Sequence, residues 1–243
     1  MPPRLYVEHA LFEGEVIDLP PGPARHAQVL RLQPDDALTL FNGAGGEWAA
    51  SVVRMGRSEV QVRVGAHASV ERELPFALTL ALGMPANERM DALVEKATEL
   101  GAARIQPLVC ERSVLRLAGE RAHKKVEHWC GVAVAASEQS GRTRVPQIAA
   151  VRSLPEWLQG LSRDDATRRF VLSLRDAVPF DPAEALGPAL FLSGPEGGLS
   201  EAEESAARAA GFTPLSLGPR VLRADTAPLA ILAALAMSPR SPR

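Results

Sequence analysis

Three stretches of the chain combine reactive or ligand-binding residue types with the backbone freedom to present them. In Ser193-Gly194-Pro195-Glu196-Gly197-Gly198, three glycines and a proline let the main chain come close to a ligand and turn its N–H and C=O groups toward it. The GK[ST] ending of a phosphate loop and the GxGxxG spacing of a dinucleotide fold are both missing, and Glu196 would repel a phosphate. A neutral or cationic ligand suits this loop better, although a plain tight turn accounts for the same residues without a ligand. The second stretch, Leu217-Gly218-Pro219-Arg220-Val221-Leu222-Arg223-Ala224-Asp225-Thr226, stands directly before an apolar run. Helix capping explains Asp225 and Thr226. It does not explain Arg220 and Arg223, because cations beside a helix N-terminus oppose the dipole. The third, Glu138-Gln139-Ser140-Gly141-Arg142, reads either as a polar helix end closed by glycine or as a surface turned toward a nucleic acid.

The elements that position these stretches fall into two regimes. Over the first seventy residues, short alternating runs are punctuated by Asn42-Gly43-Ala44-Gly45-Gly46 and Gly56-Arg57-Ser58, which predicts antiparallel hairpins and a small β-barrel, with a helical piece over 26–32. Glu71-Arg72-Glu73-Leu74-Pro75 interrupts the pattern, so the domains are expected at 1–72 and 73–243. Beyond it, strands expected over 76–82, 105–109, 170–174, 189–192 and 215–217 alternate with helices over 87–100, 120–137, 200–210 and 227–237. Asn87 is placed to cap the first of these helices, Ser200 with Glu203 forms a capping box, and Gly101 and Gly211 stand at helix ends. This is an α/β pattern with a mainly parallel sheet, in which ligands bind beyond the carboxyl ends of the strands. The loops after 174, 192 and 217 are therefore the places for chemistry.

Composition excludes several classes. No apolar run approaches the ~18 residues that span a bilayer, and no leader-like segment follows Met1, so the reading is a cytoplasmic protein without a membrane partner. Cys110 and Cys130 form no CxxC pair and no His stands at ligand spacing, so no disulfide framework and no metal are expected, and both thiols are read as buried or half-buried. A net charge of −2 argues against a uniformly basic surface, yet between residues 104 and 144 basic residues outnumber acidic ones. All but three of the 27 basic residues are arginine, so a single arginine carries little weight.

Taken in order, Arg4-Leu5-Tyr6-Val7, His26-Ala27-Gln28-Val29-Leu30-Arg31-Leu32, Arg89-Met90-Asp91, Glu111-Arg112-Ser113, Glu138-Gln139-Ser140-Gly141-Arg142, Gly194-Pro195-Glu196-Gly197-Gly198 and Leu217-Gly218-Pro219-Arg220-Val221-Leu222-Arg223 resemble the family of 16S ribosomal RNA uridine N3-methyltransferases. The resemblance implies a PUA-like N-terminal barrel and a SPOUT-type methyltransferase domain with a C-terminal trefoil knot. It implies S-adenosylmethionine as methyl donor, held at Leu172, Leu192, Gly194, Glu196, Gly197, Gly198, Leu217, Gly218 and Leu222. It also implies 16S rRNA within the 30S subunit as substrate, met by Arg4, His26, Arg31, Arg112, Gln139 and Arg142, and a homodimer whose pairing the leucines and isoleucine of the last helix would serve. Three departures stand out: the pattern Thr-Glu-Thr-Ala reads Ala224-Asp225-Thr226-Ala227 here, Pro228 replaces a small residue, and Arg175-Asp176-Ala177 stands where a proline is expected.

Uridine N3 carries a proton at neutral pH and must lose it before attacking a methyl group. Arg223, then Arg220, are the candidates to hold the negative charge that develops on the uracil, and Glu138, Glu196 or Asp225 to take the proton. Methyl transfer from a sulfonium needs no metal. Other readings of these residues stay open: a ribose 2′-O-methyltransferase, a ribosome-binding protein without catalysis, or a nucleotide-binding enzyme using Gly194 to Gly198.

Overall fold

A computed structural model describes residues 2–57, 59–162, 166–185 and 187–237 of the 243-residue chain. The chain divides into two units, one made of residues 1–73 with 134–145, the other of 74–133 with 146–243. The expected linear boundary and this division differ at residue 73 and in the segment 134–145, which clusters with the N-terminal residues although it is remote from them in sequence.

The first unit carries β1 (Arg4–Tyr6), β2 (Val16–Asp18), α1 (Pro21–Val29), β3 (Ala37–Phe41), β4 (Glu47–Met55) and β5 (Val60–Ala68). These five strands form one sheet in the order β1-β3-β4-β5-β2. The hairpins β3–β4 and β4–β5 are antiparallel as the glycine turns predict, whereas β1 pairs in parallel with β3, a long-range pairing that no turn signal announces. Alternation supplies the core: Leu38 and Leu40 on β3, Val52 on β4 and Val60, Val62 and Val64 on β5 are all buried. The helix lies earlier than expected because Pro21 and Pro23 pre-set the helical φ of its first turn, and Arg31, at φ +57°, is already past its end.

The second unit carries β6 (Leu78–Gly83), α2 (Asn87–Glu99), β7 (Arg104–Val109), most of α3 (Gly119–Ser140), β8 (Gln147–Ile148), β9 (Arg152–Ser153), α4 (Leu154–Gln159), β10 (Arg168–Leu172) and β11 (Val178–Pro179). A 3₁₀ turn (Pro182–Ala185), β12 (Ala189–Ser193), α5 (Glu201–Ala209), β13 (Thr213–Ser216) and α6 (Thr226–Ala236) complete it. Its sheet runs β11-β13-β10-β12-β6-β7-β8, with β9 also on β7, and every pairing is parallel. The central pair explains the sequence pattern. β12 is buried along its whole length and β6 nearly so, and such strands read as unbroken apolar runs because helices cover both faces.

Met90, Leu93, Val94 and Ala97 of α2 are fully or almost fully buried, as their spacing predicts. Asn87 is the first helical residue and Ala86 the N-cap, which corrects the expected capping role of Asn87. The capping box of Ser200 and Glu203 is present. On α6, Ile231, Leu232 and Leu235 are buried inside this unit, so three of the four apolar residues proposed for pairing are used in the core, while Leu229 is half-buried. Cys110 is buried, and Cys130, expected at least half-buried, is exposed.

Candidate active site

Strands β10, β12 and β13 end side by side, and the three loops that leave them surround a cleft of about 560 Å³. Most of the residues read from sequence as ligand-binding come together here: Leu172, Gly194, Glu196, Gly197, Gly198, Leu217 and Leu222 line it, together with Arg220 and Arg223. Leu192 and Gly218 do not line it. The Leu192 side chain is fully buried in the core, and Gly218 occupies a left-handed turn at φ +100° that only glycine adopts readily.

The glycine loop is held by contacts that its own sequence does not announce. A Cβ on Gly194 would lie 2.8 Å from the Leu199 nitrogen, and one on Gly83 would lie 2.6 Å from the Pro195 ring, so backbone packs directly on backbone beneath the loop. The Glu196 carboxylate accepts the Ala86 N–H at 3.0 Å and faces Arg89 at 3.5 Å, tying the loop to the start of α2. The Arg112 guanidinium donates to the Gly197 carbonyl at 3.0 Å. Its neighbours on the same motif work alongside it: the Glu111 N–H donates to Glu203 at 2.7 Å, and the Ser113 hydroxyl accepts the Cys110 N–H at 3.0 Å. Arg112, expected at RNA, thus braces the cleft from below. Burial pushes the Cys110 thiol beneath the loop up to about 12, so it stays protonated and inert.

The loop after β10 is fixed to α5. Glu204 accepts from the Ser173 hydroxyl and from Arg208, and the Arg175 N–H donates to the Ser173 oxygen at 2.9 Å. Arg89, Ser173, Arg175 and Glu204 line the cleft and were missed as site residues. The pattern held a signal for Arg89, which stands in a motif of its own, and for Arg175, which follows a strand end named as a place for chemistry; Glu204 sits on a helix face that reads as solvated.

Arg220 and Arg223 are exposed at the cleft, and neither guanidinium has a carboxylate partner among the described residues. Asp225 is the N-cap of α6 without a side-chain capping bond, and among the described residues its carboxylate meets only the Thr226 hydroxyl, at 3.5 Å.

The remaining site residues belong to the first unit. Glu138 does not line the cleft. Its carboxylate accepts the Tyr6 N–H at 2.9 Å and lies 3.2 Å from His26 Nδ1, and burial raises its pKa above the usual carboxylate range. Arg4 and Arg142, expected at RNA, are buried: Arg4 pairs with Glu47, donates to the Arg142 carbonyl at 3.0 Å and lies over the Phe41 ring, while Arg142 pairs with Glu73. Buried guanidinium groups with carboxylate partners hold a fold together and do not reach a phosphate, which corrects that expectation. Arg31 and Gln139 are exposed, and His26 is partly so.

A family model described as an RNA methyltransferase PUA domain matches residues 24–65, and one described as an RNA methyltransferase domain matches residues 72–236. The two units and the cleft thus have the make-up of an RNA methyltransferase with a PUA domain. Ribosomal RNA small subunit methyltransferase E of Bacillus subtilis is 31% identical over 215 residues, covering 85% of this chain and 84% of that one. The protein of that name from Mycobacterium bovis is 33% identical over 214 residues, covering 86% and 81%. A crystal structure of the Neisseria gonorrhoeae protein of the same name, bound to S-adenosyl methionine, superposes with a TM-score of 0.89 at 33% identity over 97% of both chains. The chain belongs to the family of ribosomal RNA small subunit methyltransferases E.

Proposed function

We propose that this protein transfers a methyl group from S-adenosylmethionine to N3 of one uridine in 16S ribosomal RNA, acting on the 30S subunit. The observation that carries the reading is the cleft itself: a glycine loop and two arginines that have no carboxylate partner among the described residues meet at the carboxyl ends of β10, β12 and β13. The residues present fit the methyl donor. A cleft of about 560 Å³ lies in the range of small-molecule sites, apolar Leu172, Leu217 and Leu222 can take an adenosine, and the carboxylates of Glu196 and Glu204 suit a cationic ligand. When bound, S-adenosylmethionine supplies a methyl group on a sulfonium.

The chain's own residues do the rest. The braced loop fixes the backbone groups that orient the donor, and Arg223, with Arg220 beside it in sequence, binds the negative charge that develops on the uracil oxygens as N3 loses its proton. Of the three carboxylates that could take that proton, Glu138 and Glu196 each accept a backbone N–H. Asp225 accepts none among the described residues, stands between the lining residues Ala224 and Ala227, and is the acceptor we assign. The described helices include none long and apolar enough to cross a membrane, in keeping with work on ribosomes in the cytoplasm. A second copy of the chain is the proposed partner, supported by exposed Val221 and Leu174 beside the cleft, and light scattering at micromolar concentration should give a dimer mass. The trefoil knot implied by the family resemblance is proposed for the segment from β12 to α6.

Incubation of the purified protein with 30S particles and methyl-labelled S-adenosylmethionine, followed by nucleoside mass spectrometry, tests the reaction. 3-Methyluridine is the expected product. A 2′-O-methylated nucleoside would replace the base reading with a ribose one, and no labelled product would sink the enzymatic assignment.

A further inference from the structure

One carboxylate of the cleft has no specific partner in methyl transfer. Glu204 stands on α5 four residues after the N-cap Ser200, and it lines the cleft with Leu172, Ser173 and Leu215 from the ends of β10 and β13. It is 8% exposed, and a carboxylate is almost never buried to that degree unless it is paired. The pairing is one-sided. Oε1 accepts from the Ser173 hydroxyl and, at 3.0 Å, from the Arg208 guanidinium, whereas among the described residues Oε2 accepts from nothing. The groups that hold Oε1 are themselves held: Arg208 donates to the Arg175 carbonyl at 2.6 Å, the Arg175 N–H to the Ser173 oxygen at 2.9 Å, and the Ser173 N–H to the Leu215 carbonyl at 3.0 Å. The carboxylate is therefore fixed from its own helix and from the strand ends at once. Arg208 already supplies a counter-charge, so what Oε2 lacks is a hydrogen-bond donor.

A ribose offers that donor. Its two adjacent hydroxyls are neutral, and an acidic side chain takes a ribose hydroxyl in the same way beside the strand ends of dinucleotide-binding sheets. The adenine suits the leucines and the backbone groups of the glycine loop, and the carboxylate of the methionine part suits the arginines. We propose that Glu204 is a specificity-determining residue for the methyl donor, its Oε2 accepting a hydrogen bond from the ribose of S-adenosylmethionine. The inference rests on S-adenosylmethionine binding in this cleft. A site built to hold a hydroxyl rejects an analogue that lacks it, because the buried acceptor is then left without a partner. The α-ammonium group of the methionine part is also a donor and is the competing source.

The test compares the full-length protein with E204A and E204Q in calorimetry. The ligands are S-adenosylmethionine, its demethylated counterpart S-adenosylhomocysteine, and the 2′-deoxy, 3′-deoxy and desamino forms of the latter. The wild-type protein should bind S-adenosylhomocysteine about tenfold or more tightly than at least one deoxy form, the scale of one hydrogen bond to a charged group. In E204A the parent compound should weaken by a similar factor and the preference for the hydroxyl should vanish. E204Q keeps the side-chain shape and a neutral acceptor, and should retain part of the preference. A carboxylate that only props the loop after β10 would weaken every ligand alike and leave the preference intact. An undiminished preference in either variant, or a wild-type protein with none, therefore overturns the proposal. Selectivity against the desamino form that disappears in E204A, with the hydroxyl preference kept, overturns the ribose assignment in favour of the ammonium group. A wild-type protein that binds neither S-adenosylmethionine nor S-adenosylhomocysteine refutes the cofactor reading itself, an outcome distinct from an unaffected variant.

Discussion

In the unit built on residues 1–73, Arg4 and Arg142 are buried and each holds a carboxylate, Glu47 and Glu73. In the unit that carries the methyltransferase cleft, Arg220 and Arg223 are exposed and hold none among the described residues. All four stand in short motifs of similar look within a chain whose basic residues are nearly all arginine. The difference lies in solvation. A charge removed from water must be paired or it destabilises the fold by several kcal/mol, so burial commits Arg4 and Arg142 to structure. A charge left in water, at a strand-end cleft and beside a helix N-terminus that disfavours it, has no structural reason to be there and is free for a ligand.

Breaking one arginine of each kind separates the two roles. Arg142→Ala leaves Glu73 without its buried partner and should cost about 3–5 kcal/mol in chemical unfolding, while Arg223→Ala should stay within about 0.5 kcal/mol of the parent. A loss below about 1 kcal/mol for Arg142→Ala would end the contrast. Arg223→Ala should instead lower single-turnover methylation of saturating 30S particles about a hundredfold or more, with S-adenosylmethionine affinity unchanged. Arg223→Lys should recover only part of the rate, because a point charge does not reproduce a planar two-pronged donor. A normal rate would remove Arg223 from catalysis.

Arg112 sharpens the comparison because it is exposed and yet structural. Arg112→Ala removes a charged hydrogen bond to the Gly197 carbonyl, worth about 1.5–3 kcal/mol, and should weaken S-adenosylmethionine binding about tenfold or more in calorimetry. If only RNA affinity falls, Arg112 is a nucleic-acid contact after all. The smallest effect concerns acid. The Arg72 hydrogen bond, with Arg4 beside it, holds Glu47 below its ordinary value of 4.5. The unfolded chain therefore takes up the proton first. The stability Glu47 contributes is complete above about pH 4.5 and is lost as pH falls through its folded value. Glu47→Gln should flatten the acid limb of a Tm-against-pH curve, and an unaltered limb would show that the pair is not what acid breaks.

How much was legible follows the length of the signal. β6 and β12 were found because a buried central strand needs an unbroken apolar run, and α5 because Ser200 and Glu203 cap it locally. β8 and β9, two residues each, have no period to read, although Ser153-Leu154-Pro155-Glu156 did hold the capping signal of α4. The glycine loop was visible as a candidate because its glycines follow a buried strand end, and the Arg220–Arg223 segment because cations beside a helix N-terminus oppose the dipole. Glu204 and Ser173 were not, since each looks ordinary until α5 and the end of β10 are adjacent.

The amino-acid sequence by itself determined the alternation of strands and helices after Pro75, the places where they stop, and the motifs that mark the family. These depend on side-chain period, capping and backbone freedom, which act over a few residues. Only the tertiary structure decided which arginines are buried, that Arg112 and Glu196 brace the loop beside them, that residues 134–145 cluster with the N-terminal strands, and that Ile231 and Leu232 belong to the core. Each of these depends on which distant segment excludes water from a given side chain, and desolvation is set by neighbours in space that no local pattern names.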